Sequence, residues 1–167
     1  GPDLTVERGL HQQARLSDGR YLLSGGVDRL NQPQATAELF DPTAGRFTPT
    51  GAMANKRMAH TATLLPDGKV LVTGGIPDTS STTTAVTSAL RSTEIYDPAS
   101  GTWSAGPNMS IPRATHSAVD LGNGRVLLVG GLTWRSIIFF RVPSFTGTGD
   151  IRIVAQGVIS GDGLVQT

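Results

Sequence analysis

The clearest pattern in the chain is an alternation of threonine and apolar residues in the segment HTATLLPDGKVLVTGG, residues 60–75. A period of two predicts a β-strand with one buried face, and the run Val70–Val72 predicts a second strand. The Pro-Asp-Gly between them supplies the backbone angles of a tight turn, so the segment is predicted to be a β-hairpin. Gly74 and Gly75 at its end weaken a strand, which indicates a position that needs positive φ or close backbone approach.

Two further segments repeat this pattern: HQQARLSDGRYLLSGG at 11–26 and HSAVDLGNGRVLLVGG at 116–131. In all three copies a histidine stands 14 residues before the first glycine of the pair, and the turn begins seven residues after that histidine. An arginine also stands three residues before each histidine. Fixed offsets in three copies indicate an internal repeat. The repeated positions are Arg8, Arg57, Arg113, His11, His60, His116, Gly25, Gly26, Gly74, Gly75, Gly130 and Gly131.

A second element recurs downstream of the first two copies, as ELFDPTAGRF at 38–47 and EIYDPASGTW at 94–103. Both contain a glutamate, an aromatic residue, an Asp-Pro turn with glycine, and a second aromatic residue seven positions after the first. Proline fixes φ in such a turn and glycine accepts positive φ, so each element predicts strand, turn, strand. Each repeat unit is therefore predicted to contain four strands. Its aromatic positions include Tyr96 and Trp103 in the second unit.

This arrangement resembles the kelch repeat family, whose four-stranded units carry a glycine pair, a tyrosine and a tryptophan at similar spacings. The resemblance covers residues 4–131 and is greatest for the bacterial extracellular and galactose-oxidase-like branch of the family. It implies an all-β fold of four-stranded antiparallel kelch blades, about three per chain, that form part of a β-propeller. It also implies that each glycine pair lies where strand 2 leaves its blade beside the next blade.

The predicted units are blade 1 at residues 1–50, blade 2 at 51–105 and a degenerate blade 3 at 106–151. Propellers contain about 4–8 blades, so three are too few to close a ring. The chain is then a fragment of a larger propeller, or one of several chains that complete one another, or an open stack whose ends are covered by symmetry partners.

The repeat decays after Gly131, where the glutamate, aromatic and Asp-Pro element does not recur. The segments SIIFFRV (136–142) and DIRIVAQ (150–156) are candidates for strands 3 and 4 of the third unit. Residues 152–167 are interpreted as a relic of a fourth blade or as a closing strand, because Arg152 precedes an Asp-Gly pair at the repeat offset.

The composition argues against several classes of site and partner. With 21 glycines, 10 prolines and 38% hydrophobic residues, the chain is typical of a soluble all-β domain. A formal net charge of +1 argues against a broad surface for nucleic acid or anionic membrane. No apolar run approaches the roughly 20 residues of a membrane span. The chain has no cysteine, which excludes a disulfide scaffold and a thiolate site.

Residues at the repeat positions are interpreted as scaffold. The alternative for His11, His60 and His116 is a three-histidine metal site, but each histidine belongs to a different blade, so we predict no metal site and no cofactor. The three arginines are predicted to pair with Glu38 and Glu94, because buried charges need partners. Tyr96 and Trp103 are predicted to be largely buried between blades rather than to form a sugar platform.

Catalysis by this chain is not predicted. The resemblance offers a copper-radical reaction of the galactose oxidase type, which requires a tyrosine crosslinked to cysteine, and the chain contains no cysteine. No Ser/His/Asp or paired-carboxylate set lies outside the repeat pattern. The glycine pairs also lack the following helix that a phosphate-binding loop needs. We therefore name no catalytic residues.

Recognition is the favoured function, because the two ends of each blade differ. The turns within hairpins are short, whereas the connections from strand 2 to strand 3 are long and variable, VDRLNQPQATA at 27–37 and IPDTSSTTTAVTSALRS at 76–92. Loops on a rigid scaffold carry binding residues more often than strands do. The candidate ligand-binding residues on this long-loop face are Asp28, Arg29, Asn31, Asp78, Thr82 and Arg91.

The predicted function is thus a non-catalytic module that binds a protein or glycan, with an extracellular or cell-surface location. The alternatives are a structural fragment of a larger propeller, and the non-catalytic part of a galactose-oxidase-like enzyme. We also expect a two-fold homo-oligomer that completes a propeller, with the apolar segment 137–142 near the junction, since closed cyclic symmetry is the common arrangement.

Overall fold

The structure is a computed structural model that describes residues 4–81, 84, 87–122, 125–132, 156–160 and 163–166, the last two segments as backbone. The described residues form short β-strands, as the turn signals between apolar runs predict. In chain order the strands are β1 (Gln12–Arg15), β2 (Tyr21–Ser24), β3 (Ala37–Asp41), β4 (Arg46–Thr50), β5 (Thr61–Leu64), β6 (Val70–Thr73), β7 (Thr93–Asp97), β8 (Thr102–Ala105), β9 (Ser117–Gly122), β10 (Arg125–Val129), β11 (Gln156–Ser160) and β12 (Gly163–Gln166).

These strands form three antiparallel sheets of four strands each, in the orders β1-β2-β3-β4, β5-β6-β7-β8 and β9-β10-β11-β12. The predicted all-β class and the four-stranded units are confirmed. The innermost strands β1, β5 and β9 of successive sheets contact one another, as in blades arranged around an axis. In the second blade the aromatic residues Tyr96 and Trp103 are cross-strand partners on β7 and β8.

The third blade differs from the expectation drawn from the sequence. Its outer strands are β11 and β12, so residues 156–160 and 163–166 belong to the third sheet. Val126 to Val129 of β10 pair in register with Ile159 to Gln156 of β11. This pairing satisfies the outer edge of β10, which is the physical reason for a strand there. The segments 136–142 and 150–155, where the sequence predicted strands, lie outside the described residues.

Side chains from β6 fill the spaces on both sides of the second blade. Val70 and Val72 belong to the apolar cluster with Leu22 of the first blade, whereas Leu71 belongs to the cluster with Val126 of the third. All four residues of β6 are buried, because successive side chains in a strand point to opposite faces and both faces of this blade are covered.

The tight turns within the hairpins take the conformations that their glycines predict. Gly19 and Gly68 in the Asp-Gly turns have φ of 89° and 83°, and Gly45 and Gly101 in the Asp-Pro turns have φ of 61° and 69°. The corresponding Gly124 lies outside the described residues. All these turns lie at one end of the blades, and the long connections lie at the other. In the part of the chain that is described, no helix has the length and apolar character needed to cross a membrane.

Candidate functional site

The glycine pairs lie at the junctions between blades. A Cβ on Gly25 would lie 2.3 Å from the carbonyl oxygen of Arg57 in the next blade, and one on Gly74 would lie 2.2 Å from the carbonyl oxygen of Arg113. Both distances are far below van der Waals contact. The second glycine of these two pairs donates its N–H to the same carbonyl oxygen, Gly26 to Arg57 and Gly75 to Arg113, each at 2.9 Å. Only glycine permits this approach, since φ is positive at these positions as well.

Each repeated arginine donates a hydrogen bond to the carbonyl oxygen of the first glycine in its pair. Arg57 donates to the carbonyl oxygens of Gly74 and Ser92, and its guanidinium forms an ion pair of 2.7 Å with Glu94. Burial raises the pKa of Glu94, but the Ala54 N–H and the Arg57 guanidinium more than offset this effect and hold it below its ordinary value. A buried charge pair with this many hydrogen bonds holds strands 2 and 3 together, which is a scaffold role.

The first blade repeats this arrangement. Arg8 donates to the carbonyl oxygens of Gly25 and Thr36, and it pairs with Glu38 at 2.5 Å. In the third blade Arg113 donates to the Gly130 carbonyl oxygen at 3.1 Å. The same contact therefore occurs in all three blades, which is what the fixed arginine spacing encodes.

Two of the repeated histidines, His60 and His116, each contact a hydroxyl group of the preceding blade. His60 Nε2 lies 3.1 Å from Ser24 Oγ, and His116 Nε2 lies 2.7 Å from Thr73 Oγ1. Burial and the neighbouring Arg57 charge lower the pKa of His60 to about 3, so this imidazole is neutral. Among the described residues no group of three His, Asp or Glu side chains has an arrangement that could hold a metal ion.

The two aromatic repeat residues of the second blade contact the first blade. Tyr96 is fully buried, and its hydroxyl lies 2.7 Å from Thr50 Oγ1. Trp103 Nε1 donates to the Gly51 carbonyl oxygen at 2.7 Å. Trp103 is partly buried and packs against the apolar cluster that the first two blades share. It lies on β8, the outermost strand of its blade.

The first loop of the long-loop face is organised around Asp28. This carboxylate accepts hydrogen bonds from the backbone N–H groups of Leu30 and Gln32 and from the side-chain amide of Gln34, each at 2.9 Å. Its oxygens are therefore engaged within the loop. Arg29 is exposed and pairs with the exposed Glu7, whose pKa is lowered by that contact.

The second loop touches the first. Thr79 Oγ1 donates to the Asn31 carbonyl oxygen at 2.5 Å, which joins the long connections of two adjacent blades. Asp78 is exposed and accepts the Ser80 N–H at 2.7 Å, a contact that lowers its pKa. Arg91 is exposed at the end of the loop. Thr82 lies outside the described residues. Of the predicted ligand-binding positions, Asn31 thus contacts the second loop directly, next to Asp78, which precedes Thr79.

Sequence reasoning missed a ring of strained residues near the axis. Leu10, Ala59 and Thr115 each precede a repeated histidine and have φ of 52°, 52° and 54°. Ala59 N–H donates to the Leu10 carbonyl oxygen, and Thr115 N–H donates to the Ala59 carbonyl oxygen, so the three form a chain from blade to blade. Positive φ is unfavourable for residues with a Cβ, above all for threonine. The sequence signal that could have indicated these residues is the variable position directly before each repeated histidine.

A cavity of about 330 Å³ lies over this ring, on the long-loop side of the axis. Its walls include Leu10, Ala59, Thr61 and Thr115 together with the two inter-blade histidines. Leu10 is 61% exposed. The mouth of this cavity is therefore partly apolar and varies in chemistry from blade to blade.

A second cleft, of about 400 Å³, lies at the opposite end between the tight turns. Its carboxylates belong to Asp18, Asp67 and Asp97. Each of them accepts the backbone N–H of the residue two positions later, at 3.0, 3.1 and 2.9 Å respectively. These aspartates therefore stabilise their own turns.

The similarities to known proteins agree with this geometry. Residues 57–110 match the family model described as Kelch motif. Two galactose oxidases from Gibberella zeae are each 30% identical over 73 residues, a stretch that covers 44% of this chain and 9% of the relative. A solved structure, titled a novel fungal alcohol oxidase with catalytic diversity among the AA5 family in complex with copper, superimposes with a TM-score of 0.63 at 19% identity. That match covers 75% of this chain and 27% of the other.

These matches confirm the resemblance to kelch-repeat propellers and the partial-propeller fold. The matched stretch spans less than a tenth of the length of the curated relatives. The named relatives are fungal, so the bacterial origin expected from the sequence has no support from them.

Proposed function

We propose that this kelch propeller segment is a non-catalytic recognition module that binds a protein or glycan through its long-loop face, outside the cell or at its surface. The observation that carries the proposal is the contact between Thr79 and Asn31, which joins the long loops of two blades into one surface. A surface that two loops share has a defined shape, so it costs less conformational entropy on binding than two independent loops would.

The chemistry of that surface supports a macromolecular partner. Leu30 is 79% exposed at the tip of the first loop, and Leu10 is 61% exposed nearer the axis. Arg29, which precedes Leu30, forms an exposed ion pair with Glu7. Exposed apolar side chains next to charged groups are typical of protein interfaces, in which an apolar centre has a polar rim.

The side chains with catalytic potential are engaged elsewhere, which supports a non-catalytic role. His60 and His116 lie inside blade junctions, where both bind hydroxyl groups. The carboxylates of Glu38 and Glu94 pair with buried arginines. A general base needs access to a substrate proton, and these groups are covered by protein.

The test is binding to a glycan array and to a protein array, followed by affinity measurement on any ligand found. Leu30→Ser should reduce the affinity at least about tenfold, since interface centres depend on a few apolar anchors. The matched control is Leu121→Ser, because Leu121 is also exposed but lies at the tight-turn end. Equal losses in the two variants, or no ligand on either array, would overturn the proposal.

A further inference from the structure

Both occupied blade junctions use the same set of contacts. In the first, Gly26 N–H donates to the Arg57 carbonyl oxygen and Ala59 N–H donates to the Leu10 carbonyl oxygen. In the second, Gly75 N–H donates to the Arg113 carbonyl oxygen, and Thr115 takes the place of Ala59. The junction is therefore a repeated set of contacts. One blade contributes the glycine pair, and the next blade contributes the arginine carbonyl group and the residue before the histidine.

The third blade has the glycine pair of this junction, but no described residue contacts it as the next blade contacts the other pairs. Gly130 and Gly131 have φ of 71° and 93°, close to the values of 62° and 102° at Gly74 and Gly75. Yet a Cβ on Gly130 would meet no described residue within 4 Å, whereas one on Gly74 would lie 2.2 Å from the next blade. Within the described chain nothing requires this space, so the glycine leaves room for a carbonyl group from another unit.

The first blade carries the other half of this junction. In the occupied junctions the arginine carbonyl accepts a glycine N–H, and the residue before the histidine donates its own N–H. Among the described residues, no backbone group bonds to the Arg8 carbonyl oxygen, to the Leu10 N–H or, at the other end, to the Thr115 carbonyl oxygen. The backbone groups that lack a backbone partner in the first and third blades are thus complementary.

We propose that the open face of the third blade binds the first blade of a second copy of this chain, head to tail. Gly131 N–H then donates to the Arg8 carbonyl oxygen of the second copy, and Leu10 N–H of the second copy donates to the Thr115 carbonyl oxygen. Two identical junctions close a ring of about six blades with two-fold symmetry, within the usual range of about 4–8 blades.

One residue makes this junction weaker than the internal ones. Ser24 and Thr73 precede their glycine pairs and offer a hydroxyl to the histidine of the next blade. Val129 occupies the same position in the third blade, so the His11 imidazole of the second copy finds no hydroxyl there. Replacing Val129 with threonine restores the missing group and should strengthen association.

Sedimentation velocity tests this over protein concentrations from about 1 to about 100 µM, the range in which weak specific dimers form. The 17.4 kDa chain should form dimers, and Val129→Thr should lower the dissociation constant about tenfold. Adding His11→Ala to Val129→Thr should remove that gain. Gly130→Ala should weaken dimers at least about tenfold, because the new Cβ collides with the incoming carbonyl group.

Gly45→Ala is the matched control, since Gly45 has φ of 61° and its Cβ position also meets no described residue. It should leave association unchanged. The proposal is overturned if wild type and Val129→Thr remain monomeric throughout the range, if dimers are indifferent to Val129→Thr and Gly130→Ala, or if assembly is open-ended rather than limited to two chains.

Discussion

Replacing Gly74 with alanine tests whether the glycine pair exists for the contact between blades. In the structure, the added Cβ lies 2.2 Å from the Arg113 carbonyl oxygen and 2.9 Å from His116 Cε1. The carbonyl belongs to backbone that also accepts the Gly75 N–H at 2.9 Å, so it cannot move away without loss of that hydrogen bond. The variant must therefore separate the second and third blades or distort one of them.

Three costs combine in this variant. Alanine at φ of 62° is strained by about 1–2 kcal/mol. Overpacking of a close junction adds about 1–3 kcal/mol. Weakening the Gly75 hydrogen bond adds about 1 kcal/mol. The free energy of unfolding of Gly74→Ala should therefore fall by about 3–6 kcal/mol in total.

Gly45→Ala separates the strain from the contact. Gly45 has φ of 61°, and its Cβ position meets no described residue within 4 Å. This variant should lose only the strain, about 1–2 kcal/mol. Urea unfolding of both variants and wild type at one protein concentration measures the difference, provided that the m-value is unchanged. A difference below about 1 kcal/mol between the two variants would refute the steric explanation of the glycine pair.

Two further predictions follow from the junctions. Burial lowers the pKa of His60 to about 3 and that of His116 to about 4, so the unfolded chain, in which a histidine has a pKa near 6.5, binds more protons than the folded chain below pH 6.5. The free energy of unfolding should be undiminished above pH 6.5 and should fall by up to about 1.4 kcal/mol per pH unit per histidine on acidification. A flat urea midpoint between about pH 6.5 and 5 would contradict the neutral, buried state of these histidines. Trp103→Phe removes the N–H that binds Gly51 but keeps most of the ring, so unfolding free energy should fall by about 1–2 kcal/mol, and an unchanged urea midpoint would count against the inter-blade hydrogen bond.

Local features of the chain were predictable because they depend on neighbours in sequence. The strands around 61–64 and 70–73 follow from alternation and apolar runs, and the turn at Gly68 follows from an Asp-Gly pair that needs positive φ. The repeat offsets then identified which arginines, histidines and glycines act together. The strands and turns were predicted from residues within one repeat unit, and the repeated positions were found by comparing one unit with the next.

Which side chains meet across the blade junctions was decided by the tertiary structure alone. Ser24 and His60 are 36 residues apart, and no periodicity within a strand indicates that their side chains meet. The same holds for the positive φ of Leu10, Ala59 and Thr115, since neither leucine nor threonine favours that conformation and only the hydrogen bonds to adjacent blades impose it.

The outer strands of the third blade also depended on the tertiary structure rather than on sequence pattern. Residues 156–160 lack the Asp-Pro element that marked the outer strands of the other units, and the sequence analysis interpreted residues 152–167 as a relic of a fourth blade or as a closing strand. Their pairing with β10 depends on an exposed strand edge that exists only once the third sheet has begun to form. Short-range pattern therefore determined the strands, turns and repeats of this protein, whereas the packing of one blade against the next determined the strained ring, the glycine contacts and the composition of the last sheet.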